Sequence, residues 1–300
     1  MWRNKVNAAL RRATGYQLQR SQFPQVSHPD PVRLKKRLAE NRRTLQETRR
    51  ELAQARRRLE RTQAAPGSAP RSRPRKMPRY VDDGAAEILR RVDVRTMTDY
   101  TKLFGLVEAT RYIARREVPG AIVECGVWRG GSMQAVALTL LEQGRSDRAL
   151  HLFDTFEGMP PPTEHDRRGD TTAEEMLARH DKDHHVWAIA GLEDVQEAMA
   201  EVGYPADLVR FHQGLVEDTV PGDAPEQIAL LRLDTDWYES TRHELEHLYA
   251  RLSPGGVLII DDYGDWDGAR LATDEFVAAL EQPPLLSPLG SGRIAVKPIG

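Results

Sequence analysis

The residues best suited to chemistry are carboxylates at the ends of apolar runs. Leu230-Leu231-Arg232-Leu233 leads into Asp234-Thr235-Asp236, and Val257-Leu258-Ile259-Ile260 leads into Asp261-Asp262. If both runs are strands of an open α/β sheet, their acids meet at the carboxyl edge, where such folds bind ligands. Two residues apart on a strand, Asp234 and Asp236 would share a face. Carboxylates converging this way repel one another unless a cation or protons lie between them. An all-oxygen donor set without cysteine suits Mg²⁺, which keeps positions open for substrate oxygens. Separate, solvated strand-end acids are the simpler alternative.

A second constellation lies upstream. Glu124-Cys125-Gly126-Val127-Trp128-Arg129-Gly130-Gly131-Ser132 has the form Glu-x-Gly-x-x-x-Gly at the end of an apolar run. Gly126 permits a tight turn and close approach of a ligand, and Gly130-Gly131 lets a helix begin beside it. Dinucleotide sites use G-x-G-x-x-G, whereas here the residue two before Gly126 is acidic. A carboxylate beside such a turn suits a ligand with a cationic amino group, such as the methionine end of S-adenosylmethionine. Ser132 is placed to cap the helix or to donate to the ligand. Leu150-His151-Leu152-Phe153 then ends in Asp154, and an acid there is the usual partner of ribose hydroxyls. Cys125, the only cysteine, reads as a small buried residue. It excludes an intramolecular disulfide framework and a multi-cysteine metal site.

The elements that would position these groups follow from periodicity. Short apolar runs bounded by Gly, Pro or charge occur at 121–124, 149–153, 208–212, 228–233 and 257–260, as expected of strands buried on both faces. Helical spacing covers 100–115, 132–141, 192–201 and 240–252, the last ended by Ser-Pro-Gly-Gly at 253–256. The alternation predicts a doubly wound Rossmann-like α/β sheet. The tail from Gly290 to Val296 would add a last, antiparallel strand. Residues 158–183, rich in Pro and His and then in charge, form an expected lid after the second strand. His165, His180, His184 and His185 fall in or near it, as solvated surface groups or as substrate contacts.

Composition describes a soluble chain with a real core: 300 residues, 40% hydrophobic and 29% charged. No apolar run approaches the roughly 20 residues of a membrane span. The basic N-terminus has no continuous apolar stretch and no cleavage site, so no secretory signal is expected and a cytoplasmic location is the expectation. The formal charge of −2 hides an asymmetry. Residues 1–79 hold 22 Lys/Arg against 5 Asp/Glu, and residues 80–300 hold 21 against 40. The predicted division is a basic segment 1–63 containing a heptad helix at 32–62, a Pro/Arg-rich linker 64–79, and a catalytic domain 80–300. Leu38, Leu45, Leu52 and Leu59 recur every seven residues, but Asn41, Thr48 and Ala55 weaken the second column. A homo-oligomeric coiled coil, a lone basic helix and an arm for an anionic surface all remain open. Without aromatics among the arginines, nucleic acid is not an expected partner.

The stretches VECGVWRGGS, LFDTFEGMP, RLDTDWYEST and GGVLIIDDYGDW resemble the macrocin O-methyltransferase family, whose members methylate sugar hydroxyls in macrolide and aminocoumarin antibiotic assembly. The resemblance covers about residues 95–300 and leaves the segment 30–78 outside the family core. It implies a class I methyltransferase fold, S-adenosylmethionine as donor, Mg²⁺ as cofactor and a glycoside as the small-molecule acceptor. It puts Glu124 and Gly126 at the donor's methionine end and Asp154 on its ribose. Asp234, Asp261 and Asp262 would hold the metal, with Asp236 as general base. Methylation of a catechol-like vicinal phenol needs the same metal geometry. A basic coiled-coil scaffold with a degenerate methyltransferase domain is the non-enzymatic alternative, against which the intact acids argue.

Overall fold

The computed structural model describes residues 76–299. The heptad segment and most of the linker therefore lie outside the described residues. Element order is α1 (Asp83–Val92), α2 (Tyr100–Arg115), β1 (Ala121–Cys125), α3 (Gly131–Glu142), β2 (Leu150–Asp154), β3 (Arg167–Arg168), β4 (Thr171–Thr172), α4 (Ala173–Ala178), α5 (Leu192–Ala200), β5 (Val209–Gln213), α6 (Val216–Thr219), β6 (Ile228–Leu233), α7 (Tyr238–Leu248), β7 (Leu252–Ile260), α8 (Asp267–Ala278), β8 (Ser287–Leu289) and β9 (Gly292–Val296). Seven strands form one sheet in the order β5-β2-β1-β6-β7-β9-β8. The first five are parallel, while β9 runs antiparallel to β7 and β8 to β9. This is a class I Rossmann-like arrangement, and the antiparallel tail strand is where the sequence put it.

Burial explains the strand sequences. Every residue of β1 and β6 is buried, because helices cover both faces. One apolar layer joins Ile122, Leu150 and Leu230 to α2, α3 and α5 through Leu106, Met133 and Val195. The other joins Val123, Leu231 and Leu258 to α7 through Leu245 and Leu248. Among the described residues, no helix is long and apolar enough to cross a membrane.

Two differences from the sequence expectation matter. Ser253-Pro254-Gly255-Gly256, taken as a turn ending a helix, lies inside β7, which begins at Leu252. Helix α7 stops at Leu248 and a 3-10 turn spans Tyr249–Arg251. The register slips between Ile228 and Leu230 opposite this stretch, so the irregular residues are accommodated without ending the strand. Helices α1, α6 and α8, strand β8 and the hairpin β3–β4 are not among the elements the sequence pattern predicts. The cap of α2 bears on the site: Asp99 Oδ1 accepts from Thr101 N (2.7 Å) and Lys102 N (3.0 Å). Such a cap contributes about 1 kcal/mol, and it fixes the helix end that carries Lys102 toward the sheet.

Candidate active site

The parallel strands deliver their C-terminal residues to one cavity of about 620 Å³, within the range of small-molecule sites. Gly126, Ser132, Asp154, Asp234, Asp236, Asp261 and Asp262 all line it. Of the predicted site residues only Glu124 does not.

The turn after β1 is built on close approach. Gly126 has φ +82°, and a Cβ there would collide with the carbonyl oxygen of Asp234. That carbonyl belongs to the turn after β6, which is tied back by Asp234 N donating to Cys125 O (2.8 Å). The two turns therefore interlock, and only glycine fits between them. Gly130, with φ +80°, is the N-cap of α3 and offers no side-chain bond. Ser132 thus lies inside the helix; the capping role suggested for it is not observed, and it stays on the cavity wall.

Asp154 is more committed than its position at a strand end implied. Oδ2 accepts from Val127 N (2.6 Å) and Trp128 N (2.9 Å), and Oδ1 from Phe156 N (2.7 Å). Three backbone donors occupy most of the roughly four lone-pair sites of a carboxylate, so the residue holds two loops together and keeps limited capacity for a ligand hydroxyl. Glu124 is fully buried. Its Oε1 accepts from Arg232 Nη1 at 2.6 Å, and its Oε2 has no partner. Burial pushes its carboxyl up to about 7, against the pull of Arg232.

Arg232 is the centre of the site's electrostatics. It sits on β6 opposite Glu124 of β1 and Ile259 of β7. It pairs with Glu124 (2.6 Å), Asp234 Oδ2 (2.7 Å) and Asp261 Oδ1 (2.6 Å), and donates to Thr98 Oγ1 (2.9 Å). Lys102 reaches in from α2 and donates to Asp261 Oδ2, Asp261 O and Asp265 Oδ2, each at 2.9 Å. Burial alone would raise Asp261, but Arg232 and Lys102 outweigh it and hold the carboxyl below its usual range. Arg232 also reaches Asp234, but among the described residues neither cation is paired with Asp236 or Asp262. Burial, with the charges of Asp236 and Asp261, lifts Asp262 well above the carboxylate range. Asp234 is lifted by burial despite Arg232.

One oxygen each from Asp234, Asp261 and Asp262 lie within 4.8 Å of one another. Opposite ligands of one Mg²⁺ are about 4.2 Å apart, so the trio is close to a closed site. A hard divalent cation fits this donor set and would supply the charge that Arg232 and Lys102 do not. Asp261 is the exception within the trio, since both its oxygens already serve a cation.

Asp236 departs from the strand picture. β6 ends at Leu233, and Asp236 has φ +68°, a left-handed conformation uncommon outside glycine. Strand alternation therefore does not align it with Asp234. The turn itself brings it to the cavity, where Asp236 N donates to Asp262 Oδ2 (3.2 Å). Burial and then the charge of Asp234 raise it to about 7.

The lid is ordered around its own apolar centre, in which Ala173 and Leu177 of α4 pack with Trp237, Trp266 and Ala269. Asp166, fully buried, accepts from Tyr238 N (2.7 Å) at the start of α7 and from Thr163 N (2.7 Å). Trp237 Nε1 donates to Pro160 O (3.0 Å). His180, His184 and His185 line the cavity, whereas His165 does not and its ring lies tilted against Tyr238 at 4.6 Å. Arg232 and Lys102 were missed from sequence. An arginine inside an otherwise apolar strand is itself a signal of an internal ion pair, but nothing around Lys102 announced its role.

The sequence profile of the macrocin-O-methyltransferase (TylF) family matches residues 31–286. The chain belongs to this family. The match begins at residue 31, so the family extends over the heptad segment, which the sequence motifs had left outside its core. A tetracenomycin-rhamnoside 4'-O-methyltransferase of Streptomyces olivaceus is 39% identical over 181 residues, 60% of this chain and 67% of that protein. Mycinamicin III 3''-O-methyltransferase of Micromonospora griseorubida is 38% identical over 168 residues, 56% of this chain and 65% of that protein. The solved O-methyltransferase NovP superposes with a TM-score of 0.60 at 29% identity, covering 68% of this chain and 83% of its own.

Proposed function

We propose that this macrocin O-methyltransferase family member transfers the methyl group of S-adenosylmethionine to a hydroxyl of a (deoxy)sugar carried on a glycosylated natural product, with Mg²⁺ at the acceptor site. The observation that carries this is the opening of the Gly126 turn and the Asp234/Asp236/Asp262 cluster into one cavity. The name of the first relative above, a methyltransferase of a rhamnosyl-tetracenomycin, supports the acceptor class.

The chain's own residues account for the steps. The Gly126 turn, Ser132 and Asp154 would seat the donor, with Glu124 compensating charge beneath the turn through Arg232. Asp234, Asp262 and Asp261 would hold the ion, whose charge lowers the pKa of a hydroxyl beside it. Lys102 and Arg232 fix the Asp261 side chain, so the third ligand is oriented from behind. Asp236, raised to about 7, is matched to accept a proton near neutral pH. As the acceptor oxygen forms its bond to the methyl carbon, the sulfur–carbon bond breaks and the hydroxyl proton passes to Asp236. The methyl sulfonium needs little activation, so alignment supplies much of the rate, and the lid over Trp237 and Trp266 excludes water. The test is a methyl-transfer assay on deoxysugar glycosides with and without Mg²⁺, alongside calorimetric titration with S-adenosylhomocysteine. Binding of S-adenosylhomocysteine and Mg²⁺-dependent transfer are expected; tight NAD binding with no response to S-adenosylhomocysteine would overturn the assignment.

A further inference from the structure

The 180–187 turn of the lid has a hydrogen-bonding pattern that the proposed chemistry does not use. His184 Nδ1 accepts from Val186 N at 3.2 Å, so the ring proton of the neutral imidazole lies on Nε2. The ring is stacked on His180 at 3.8 Å and 9° and lies against His185 at 4.1 Å and 38°. All three rings line the same cavity as Asp236 and Asp262. The turn is anchored as well: Trp187 Nε1 donates to His180 O (3.1 Å), and Met159 N to Trp187 O (3.0 Å). His184 is thus a half-buried donor of fixed tautomer on a braced turn.

The acidic part of the same cavity wall has the complementary bias. It is rich in carboxylates, which accept when ionised and so pair with substrate hydroxyls that donate. A pyranose ring oxygen or a glycosidic oxygen can only accept, and carboxylates give it nothing. Two strong donors of that wall are already committed. Lys102 directs its three protons at Asp261 and Asp265, and the Trp237 indole gives its proton to Pro160 O.

The geometry points to His184 as a specificity-determining residue whose Nε2–H donates to an acceptor-only oxygen of the sugar, the ring or the glycosidic oxygen. This rests on the proposed sugar acceptor and adds the part of the sugar that the lid reads. It also separates roles within the site: carboxylates engage the hydroxyls, and the lid engages the ether oxygens.

Three variants and a substrate pair test it. His184→Phe keeps a stacking ring and removes the donor. His184→Asn keeps a short acceptor for Val186 N but withdraws the Nε2 donor, and His184→Gln keeps a donor at similar reach. With an aryl α-L-rhamnoside as acceptor, the Phe and Asn variants should raise KM about tenfold. Their kcat and S-adenosylhomocysteine affinity should hold, and the Gln variant should recover much of the loss. One of two CH₂ replacements, of the acceptor's ring oxygen or of its glycosidic oxygen, should cost wild type a similar factor and His184→Phe nothing more. A wild-type KM in His184→Asn would assign the residue to backbone capping alone and overturn the inference. Additive losses for both oxygen replacements would overturn it too, while leaving sugar methylation standing. No transfer to any rhamnoside in the wild type would overturn both.

Discussion

Replacing Arg232 with methionine removes the cation on which the buried Glu124 and Asp261 and the half-buried Asp234 converge. The wild-type ion pairs to Glu124, Asp234 and Asp261 span 2.6–2.7 Å. Lys102 still covers Asp261 in the variant, so Glu124 and Asp234 lose most. Breaking a buried pair by removing one partner costs about 3–5 kcal/mol, a large share of a typical total of roughly 5–15 kcal/mol. The cost depends on pH in a definite direction. Glu124 is already raised from 4.5 to about 7, and losing Arg232 raises it and Asp234 further. A carboxyl with a raised folded-state pKa keeps its proton in the folded state, and stability falls as pH rises past the unfolded value. The destabilisation by Arg232→Met should therefore be larger at pH 7 than at pH 5, where Glu124 is protonated in both proteins. Urea unfolding of wild type, Arg232→Met and the double variant with Glu124→Gln, at both pH values, measures this. The double variant should recover at least about 1 kcal/mol at pH 7. A loss below about 0.5 kcal/mol, or one identical at both pH values, would refute the electrostatic account of this strand.

Asp236→Asn should lower kcat by about 10²–10⁴, the usual worth of a general base, while S-adenosylhomocysteine still binds. In wild type kcat should rise with pH through an acid limb, since Asp236 must lose its proton to act. That limb lies near 7 for the ion-free carboxyl, moves lower when a divalent cation is bound, and should vanish in the variant. Gly126→Ala, whose Cβ collides with Asp234 O, should weaken S-adenosylhomocysteine at least tenfold by calorimetry; unchanged affinity would mean the turn is not the donor site. Mg²⁺ at about a hundred times its Kd should stabilise wild type by about 2.7 kcal/mol in thermal unfolding, EDTA should reverse this, and Asp262→Asn should abolish it.

Much of the fold was legible because parallel strands are short, apolar and punctuated. Five of them appeared within a residue or two, except where β7 absorbed Ser253 to Gly256. The site was legible in its acids for the same reason: a charged residue directly after a buried run must lie at the sheet's edge. What stayed hidden depends on contacts between distant segments. Lys102 meets Asp261 across 159 positions and Arg232 meets Thr98 across 134, and no local pattern encodes such a meeting. The left-handed Asp236 defeated the alternation rule because the strand had already ended. Asp154 looked free because the amides that claim it belong to another strand's turn.

The interlock of Gly126 with Asp234 joins what a reaction scheme would treat as separate compartments. The turn proposed for the donor and the turn proposed for the metal meet there so closely that a Cβ on Gly126 would strike Asp234 O, so a shift of one would press on the other. In a thermodynamic box with donor on one edge and divalent ion on the other, the four corners cannot then be independent. Whatever factor the ion contributes to donor affinity, the donor must return to the ion. If both proposed ligands bind, a single glycine is the point through which each would register the other's presence.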